Sequence, residues 1–306
     1  MFTYNFQAGD FCINPDDRIG ARVMVSTPYD VIISLNQKMN NSQKELFRLT
    51  SFGHFLNVNE IYLQHQLIHK MLLMEVRQPN KEQMWFSISG RILKFSIEEF
   101  CIVTGLKCNG LDAIPKSRNT KSMLRQIYFG DLKSVYNKDV EQIFMNMPSD
   151  SRDEDVVKSG ILYLITPYLF TAPYKKQIAL TKSTYDEGIK KDIFMYRLYG
   201  FSLAFQIWIY EVVPSIDGKI CSRLHQTWPR LLNWTNTSMR VMVEKINFDL
   251  PDASFVHSYP NDSTRGIPDV VHIADAQSHV RNIDKDDDVN MCNPLQDPFY
   301  TEVVMK

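Results

Sequence analysis

Residues 84–106 read MWFSISGRILKFSIEEFCIVTGL, and their order specifies two strands, a tight turn and a capped helix. Trp85-Phe86-Ser87-Ile88-Ser89 and Arg91-Ile92-Leu93-Lys94-Phe95 are rich in aromatic and β-branched residues, which predicts a hairpin about Ser89-Gly90. Ser96-Ile97-Glu98-Glu99 matches a capping box. The Ser96 hydroxyl is expected to accept from the Glu99 backbone N–H while the Glu99 carboxylate reaches back. Both acids suit the positive end of the helix dipole. Ile97, Phe100, Cys101 and Thr104 fall on one face, and Gly105 stands where a left-handed stop belongs. This stretch is a folding unit; nothing in it composes an active site.

Upstream, Ser26-Thr27-Pro28 predicts a helix start, with Val31, Ile32, Leu35 and Met39 following at helical spacing. Asn40-Asn41-Ser42 predicts a break and Lys44–Leu49 a short second helix. Ser51-Phe52-Gly53 predicts a turn in which Gly53 takes a positive φ. Asn59 is expected to cap a helix from Glu60 to about Val76, with Leu63, Leu67, Met71 and Met74 on one face. Downstream, the expectations are helices at Asp139–Met147, Val156–Phe170 and Tyr185–Val213, the last interrupted at Gly200. Trp228–Trp234 and Val241–Ile246 would close the ordered part near Pro251. The fold class is mainly α with a small antiparallel β-hairpin (α+β), an irregular helical domain with disordered termini. Residues 1–25 read as an extended lead-in, 26–250 as the domain and 251–306 as an acidic, disordered tail.

The chain has 306 residues, 44% hydrophobic and 23% charged, with a net charge of −1. That supports a packed core and gives no global attraction to nucleic acid or anionic membrane. The longest apolar-rich run, Leu198–Val213, contains Gln206 and Glu211 and is too short to cross a bilayer, so it reads as a buried helix. The N-terminus has no basic segment followed by an apolar stretch, which argues against a secretory signal. Five scattered cysteines then suggest free thiols in a reducing compartment. Charge is uneven: Lys107–Lys138 holds seven basic residues against Asp112 and Asp131, and Asp252–Lys306 holds four against ten acidic ones. The basic residues Lys107, Lys116, Arg118, Lys121, Arg125, Lys133 and Lys138 are candidates for phosphate contact. A solvated polar linker is the plainer account, because only Tyr128, Phe129 and Tyr136 interleave with them.

No phosphate-cradling glycine motif occurs, and no cofactor is expected. His65 and His69 lie one helical turn apart, a spacing that suits a metal, but no third ligand adjoins them. Two histidines on a solvated helix face are the expected reading. A nucleophilic cysteine needs a histidine to take its proton. Cys101 reads as a core residue, Cys108 has only Lys107 nearby, and Cys221 lies one turn from His225. Trp208, Tyr210, Trp228 and Trp234 read as core before interface. No catalytic or metal residue is assigned.

SFGHFLNV (51–58), LLMEV (72–76), MWFSISGRILKFSIEEFCIVTGLKCNG (84–110), MYRLYGFSLAFQIWIYEVVPSIDGK (195–219) and PRLLNW (229–234) together resemble a plant domain of unknown function. That domain lies N-terminal to a Ulp-type (ubiquitin-like-protein-specific) cysteine peptidase domain in transposon-derived proteins. The resemblance covers most of residues 26–250. Its signature residues here are Phe52, Gly53, Trp85, Gly90, Phe95, Ser96, Glu99, Phe100, Thr104, Gly105 and Leu106. Two departures stand out. The Asp-rich, aromatic segment that relatives carry before the MYRLYG block is missing from Phe170–Lys191, so the domain looks shortened there. The His-Trp and Asp-Cys-Gly signatures of the peptidase are also missing. The resemblance therefore implies a non-catalytic accessory domain of the plant nucleus (or cytoplasm), with an unidentified protein partner. The alternatives are a divergent cysteine peptidase using Cys101 or Cys108, and a nucleic-acid-binding module at residues 107–138.

Overall fold

The structure, a computed structural model, describes residues 9–18, 20, 22–24, 29–80, 82–107, 125–130, 135–170, 195–197, 200–236 and 248. Within them the chain is mainly helical with a small antiparallel sheet, as the sequence implied. The helices are α1 (Asp30–Lys38), α2 (Asn41–Arg48), α3 (His65–Leu72), α4 (Ile97–Thr104), α5 (Asn137–Asn146), α6 (Asp153–Leu164) and α7 (Ser202–Val212). The strands are β1 (Arg22–Met24), β2 (Glu75–Val76), β3 (Met84–Ile88), β4 (Arg91–Phe95), β5 (Met195–Arg197), β6 (Ser222–Arg223) and β7 (Trp234–Thr235). The expected tail at 251–306, the helix start at Ser26–Pro28 and the segment Val241–Ile246 lie outside the described residues.

The hairpin forms where its residues demand. Met84 pairs with Phe95, Phe86 with Leu93 and Ile88 with Arg91. Ser89 (φ 48°) and Gly90 (φ 76°) are both left-handed, the conformation that matches the twist of a two-residue turn. β2 adds to β3, and residues 9–12 add to β2 in turn. Gly9 N–H donates to the Arg77 carbonyl at 2.8 Å, Arg77 N–H to Asp10 at 2.7 Å and Cys12 N–H to Glu75 at 2.8 Å. The lead-in thus adds an edge to the sheet. It also sends Ile13 and Val23 into the core, where β1 pairs parallel with β5.

The hairpin's inward side chains rest on α7. Phe86 lies 5.5 Å from Phe205 and 5.3 Å from Trp208, and Phe95 lies 5.2 and 5.3 Å from the same two rings. Phe86, Phe205 and Trp208 are fully buried, each worth about 1.5–3 kcal/mol of transfer free energy, and Phe95 is partly buried. Ser202–Tyr210 is buried throughout, so α7 is the central helix, apolar on all sides. α3 and α4 pack against it. α6 forms a second packing centre with α1, α2 and α5. There Gly160 admits Leu35 and Phe144, and the rings of Phe144 and Tyr163 stack at 5.3 Å. Past α6 the helix widens into one looser turn, with Phe170 N–H reaching the Ile165 carbonyl at 2.8 Å.

Several expectations are corrected. The break after the first helix is present, with Met39 and Asn40 extended, but the second helix starts at Asn41 rather than Lys44 because Asn40 caps it: its Oδ1 accepts from Gln43 N–H at 2.9 Å, and Gln43 Oε1 accepts from Asn40 N–H at 3.0 Å. The helix expected from Glu60 to Val76 starts at His65, and Glu75–Val76 is a strand. Residues 58–64 are extended because their polar groups bond to distant side chains, described below. The interruption expected at Gly200 is present, that residue being left-handed (φ 81°) before a helix that starts at Ser202, but upstream of it Met195–Arg197 is β5 and not helix. Ile97, at the first turn of α4, is 59% exposed and leaves the apolar face. The capping box at Ser96 forms as expected, with Glu99 returning to Ser96 N–H at 2.8 Å, and the Ser96 hydroxyl also accepts from Glu98 N–H at 3.1 Å.

Gly53 is also glycine for another reason than the one expected. It is not left-handed; a Cβ there would overlap the Arg48 backbone, so the requirement is close approach. Gly90 is left-handed but opens to solvent. Replacing Gly90 with alanine should cost about 1 kcal/mol, and Gly53→Ala clearly more than about 2 kcal/mol. Urea unfolding midpoints of the two variants check this order.

Candidate functional site

The described thiols are set for packing. Cys221 is 3% exposed, and its Sγ donates to the Ile216 carbonyl at 3.7 Å. Burial pushes its thiol far up, with Asp217 adding and Arg223 opposing. His225, its neighbour in sequence, is exposed. Cys12 is pushed up to about 11 by burial and by Glu75, against the influence of Arg77. Cys101 is buried in α4 and disulfide-bonded, which corrects the expectation of a free thiol there. Cys12 and Cys221 are free, so its partner lies outside the described residues, as does Cys108. A thiol with a raised pKa is a poor nucleophile, and a disulfide-bonded sulfur is none.

The histidines follow the same pattern. His69 is 3% exposed, so α3 does not present two histidines on a solvated face. His65 is half-buried and desolvation lowers its pKa. No group of three metal-ligating side chains occurs among the described residues.

The structure adds His54, which sequence reasoning did not single out. Its Nε2 donates to the Thr104 carbonyl at 2.6 Å, and its ring lies 4.5 Å from that of Phe55. Burial lowers its pKa although the Thr104 bond acts the other way. Gly105 (φ 73°) closes α4 there; a Cβ on it would sit 2.8 Å from Pro229 and 3.2 Å from His54. The TGL end of the signature is therefore a docking point for residues 54 and 229. Phe95 and Phe100 pack on the core, and the Trp85 indole N–H donates to Gln83 at 2.9 Å beneath Lys94. Phe52 and Leu106 pack against the core as well.

Four more residues form a buried polar network. The Gln206 amide oxygen accepts from Gln64 N–H at 2.6 Å, and its nitrogen donates to the Tyr62 carbonyl at 3.0 Å and to the Tyr210 hydroxyl at 2.8 Å. Tyr210 donates to Gln64 Oε1 at 2.8 Å. Asn236 donates to Tyr210 and to the Tyr62 carbonyl, and accepts from Tyr62 N–H, each at 2.8 Å. Beside it Glu211 holds Trp234 Nε1 at 2.6 Å and Arg223 at 3.1 Å. Of the four aromatics singled out in the sequence, Trp208, Tyr210 and Trp234 are core, while Trp228 is 47% exposed.

Trp228 sits on a surface loop with a rigid base. Asn233 accepts from Thr227 N–H and Oγ1 at 2.9 and 2.8 Å and donates to the Thr227 carbonyl at 2.9 Å. Leu224, at 48% exposure, starts the same loop. In the basic stretch, Lys107 and Lys138 are exposed. Arg125 begins a wide helical turn, Arg125–Phe129, and Lys116, Arg118, Lys121 and Lys133 lie outside the described residues. Phe129 is buried and the Tyr128 hydroxyl donates to Asp155 at 3.2 Å, which leaves Tyr136, 70% exposed, as the free ring.

Residues 72–199 match a domain of unknown function (DUF1985). That stretch contains the hairpin, α4 and α6, and Trp85 to Leu106 of the signature; Phe52, Gly53 and the whole of α7 fall outside it. No curated protein and no solved structure matches the chain. No helix among the described residues is long and apolar enough to cross a membrane.

The burial of the two described free thiols has a direct consequence. At pH 7.4 Cys12 and Cys221 should react with a disulfide reagent at least about a hundredfold more slowly than free cysteine, and at the full rate in urea. Thiol titration with and without denaturant measures both rates.

Proposed function

We propose that this chain is a non-catalytic interaction domain. In this reading it works beside a Ulp-type peptidase, in a plant nuclear protein of transposon origin. The observation that carries the reading is how the chemically versatile side chains are spent. Cys221, His54, Gln206, Tyr210 and Glu211 each serve an internal contact, and Phe52, Phe95, Phe100 and Leu106 of the signature pack on the core. What they leave for function is surface. The loop from Leu224 to Trp228 suits a protein partner: its base is rigid, and an exposed tryptophan on a rigid support is a favourable anchor at low entropic cost. The peptidase context and the nucleus rest on the sequence resemblance.

Nucleic-acid contact through residues 107–138 is the second reading. It is favoured by Lys107 and Lys138, which are exposed and form no ion pair with a described residue.

One preparation separates the readings. Purified chain is incubated with ubiquitin-like precursors and a thiol-reactive probe, then titrated with single-stranded DNA at two salt concentrations. The expected result is no cleavage and no DNA binding. Cleavage that a single Cys→Ala change abolishes overturns the reading. DNA affinity that falls steeply with salt replaces it with nucleic-acid contact.

A further inference from the structure

Trp228 stands at a corner where its loop abuts α4. A Cβ on Gly105, at the end of that helix, would sit 2.8 Å from Pro229. Ile102, one turn back on α4, and Leu224 and Trp228, on the loop, are exposed. Leu224 N–H donates to the Asn233 carbonyl at 2.6 Å, which adds to the Thr227 bonds and fixes the base of the loop. Two cations adjoin these apolar groups. Lys107, two residues past Gly105, is exposed, and Arg230, two past Trp228, is half-buried. Neither forms an ion pair with a described residue. The other charged groups of these elements are matched or lie at the far end. Arg223 pairs with Glu211 at 3.1 Å. Asp217 accepts from Arg223 N–H at 3.1 Å and stands two residues from Lys219. Glu98 and Glu99 belong to the first turn of α4, away from Gly105, and Glu99 is held by Ser96. His54 is turned to Thr104, and His225 is exposed on the loop itself. The corner thus has a surplus of two positive charges, and Lys107 opens the basic stretch that runs to Lys138.

We propose that residues 284–304, in the chain's own acidic tail, dock on this corner and hold it against an outside partner. The proposal rests on the reading of the Trp228 loop as a docking surface and adds how that surface is regulated. Residues 284–304 lie outside the described part, and their composition complements the corner. They hold six acidic residues, four of them in Asp284-Lys285-Asp286-Asp287-Asp288, against one basic. Phe299-Tyr300 stands between Asp297 and Glu302. The acids answer Lys107 and Arg230, and the two rings cover Trp228, Leu224 and Ile102, which removes apolar surface from water. A nucleic-acid strand would meet the same cations but would find one ring to stack on and two aliphatic side chains left wet. Reach favours the tail. Ser89 Oγ donates to the Phe248 carbonyl at 2.9 Å, and the Lys70 ammonium lies 4.9 Å over the Phe248 ring, so the tail departs from a fixed point on the domain. An unstructured chain the length of residues 249–306 spans about 40 Å, comparable to the diameter of the domain. Tethered in this way, the tail meets the corner at an effective concentration on the order of millimolar, which makes it the first competitor of any partner.

The Trp228 indole N–H resonance of the full chain, with reductant present so that no disulfide holds the tail, reads the contact directly. Two tail variants are compared with the wild type: Asp286→Asn, Asp287→Asn and Asp288→Asn together, and Phe299→Ser with Tyr300→Ser. Each should move the resonance toward one common position, and raising salt in the wild type should move it the same way. Lys107→Ala should lower the ratio of docked to free tail about two- to fivefold. The wild-type position should not depend on protein concentration. The β3–β4 amide resonances report that every variant is folded. A resonance that neither tail variant moves overturns the proposal, whereas the interaction-domain reading stands or falls on the cleavage and DNA assays above. A position that changes with protein concentration puts a second copy on the corner and also overturns it. So does a resonance that ignores both tail variants and moves only when single-stranded DNA is added.

Discussion

The buried network of Gln64, Gln206, Tyr210 and Asn236 is the constraint on which the rest of the structure depends. Residues 58–64 run extended through the interior, with Val58, Ile61 and Leu63 buried. An extended interior segment cannot satisfy its own backbone, so its N–H and C=O groups need partners from elsewhere. Gln206 and Asn236 supply them for Tyr62 and Gln64, and Tyr210 links the two amides. Asn59 extends the arrangement, donating to the Leu232 and Trp234 carbonyls at 3.0 and 3.1 Å. Each bond is individually modest. Leaving one partner buried and unpaired costs about 1–3 kcal/mol, which fixes the path of the chain between α2 and α3.

That path in turn sets the surface. With residues 58–64 laid across α7, the loop after β6 is held against the core by Trp234 and by the Asn59 bonds. Pro229 then reaches Gly105 at the end of α4, beside His54. One connected set of contacts thus joins the network, the signature helix and the base of the Trp228 loop. Thiols and imidazoles within this set are occupied, and the functional reading rests on what faces outward.

Local physics was legible in the sequence, and long-range pairing was not. The hairpin about Ser89-Gly90, the capping box at Ser96 and the stop at Gly105 depend on neighbours within four residues, and they stand as read. Leu63, Leu67, Met71 and Met74 have helical spacing, yet residues 60–64 are extended, because Gln206 lies 142 positions away and spacing carries no trace of it. The strand at Met195–Arg197 needs β1 as a partner, again distant. Gly53 was recognised as special, but a positive φ and a close backbone approach look the same in one sequence. At the candidate site, the aromatic content of Trp208, Tyr210 and Trp234 was readable as core. The pairing of Cys101 was not, since a cysteine count does not reveal proximity.

Equilibrium unfolding of Gln206→Leu tests the central claim most directly. Leucine fits the apolar surroundings of α7 but leaves the Gln64 N–H without its partner and takes from the Tyr62 carbonyl one of its two donors. The account predicts a loss of about 2–4 kcal/mol in the urea-extrapolated stability. Unchanged or increased stability would show that residues 58–64 are held by apolar packing alone, and would contradict it.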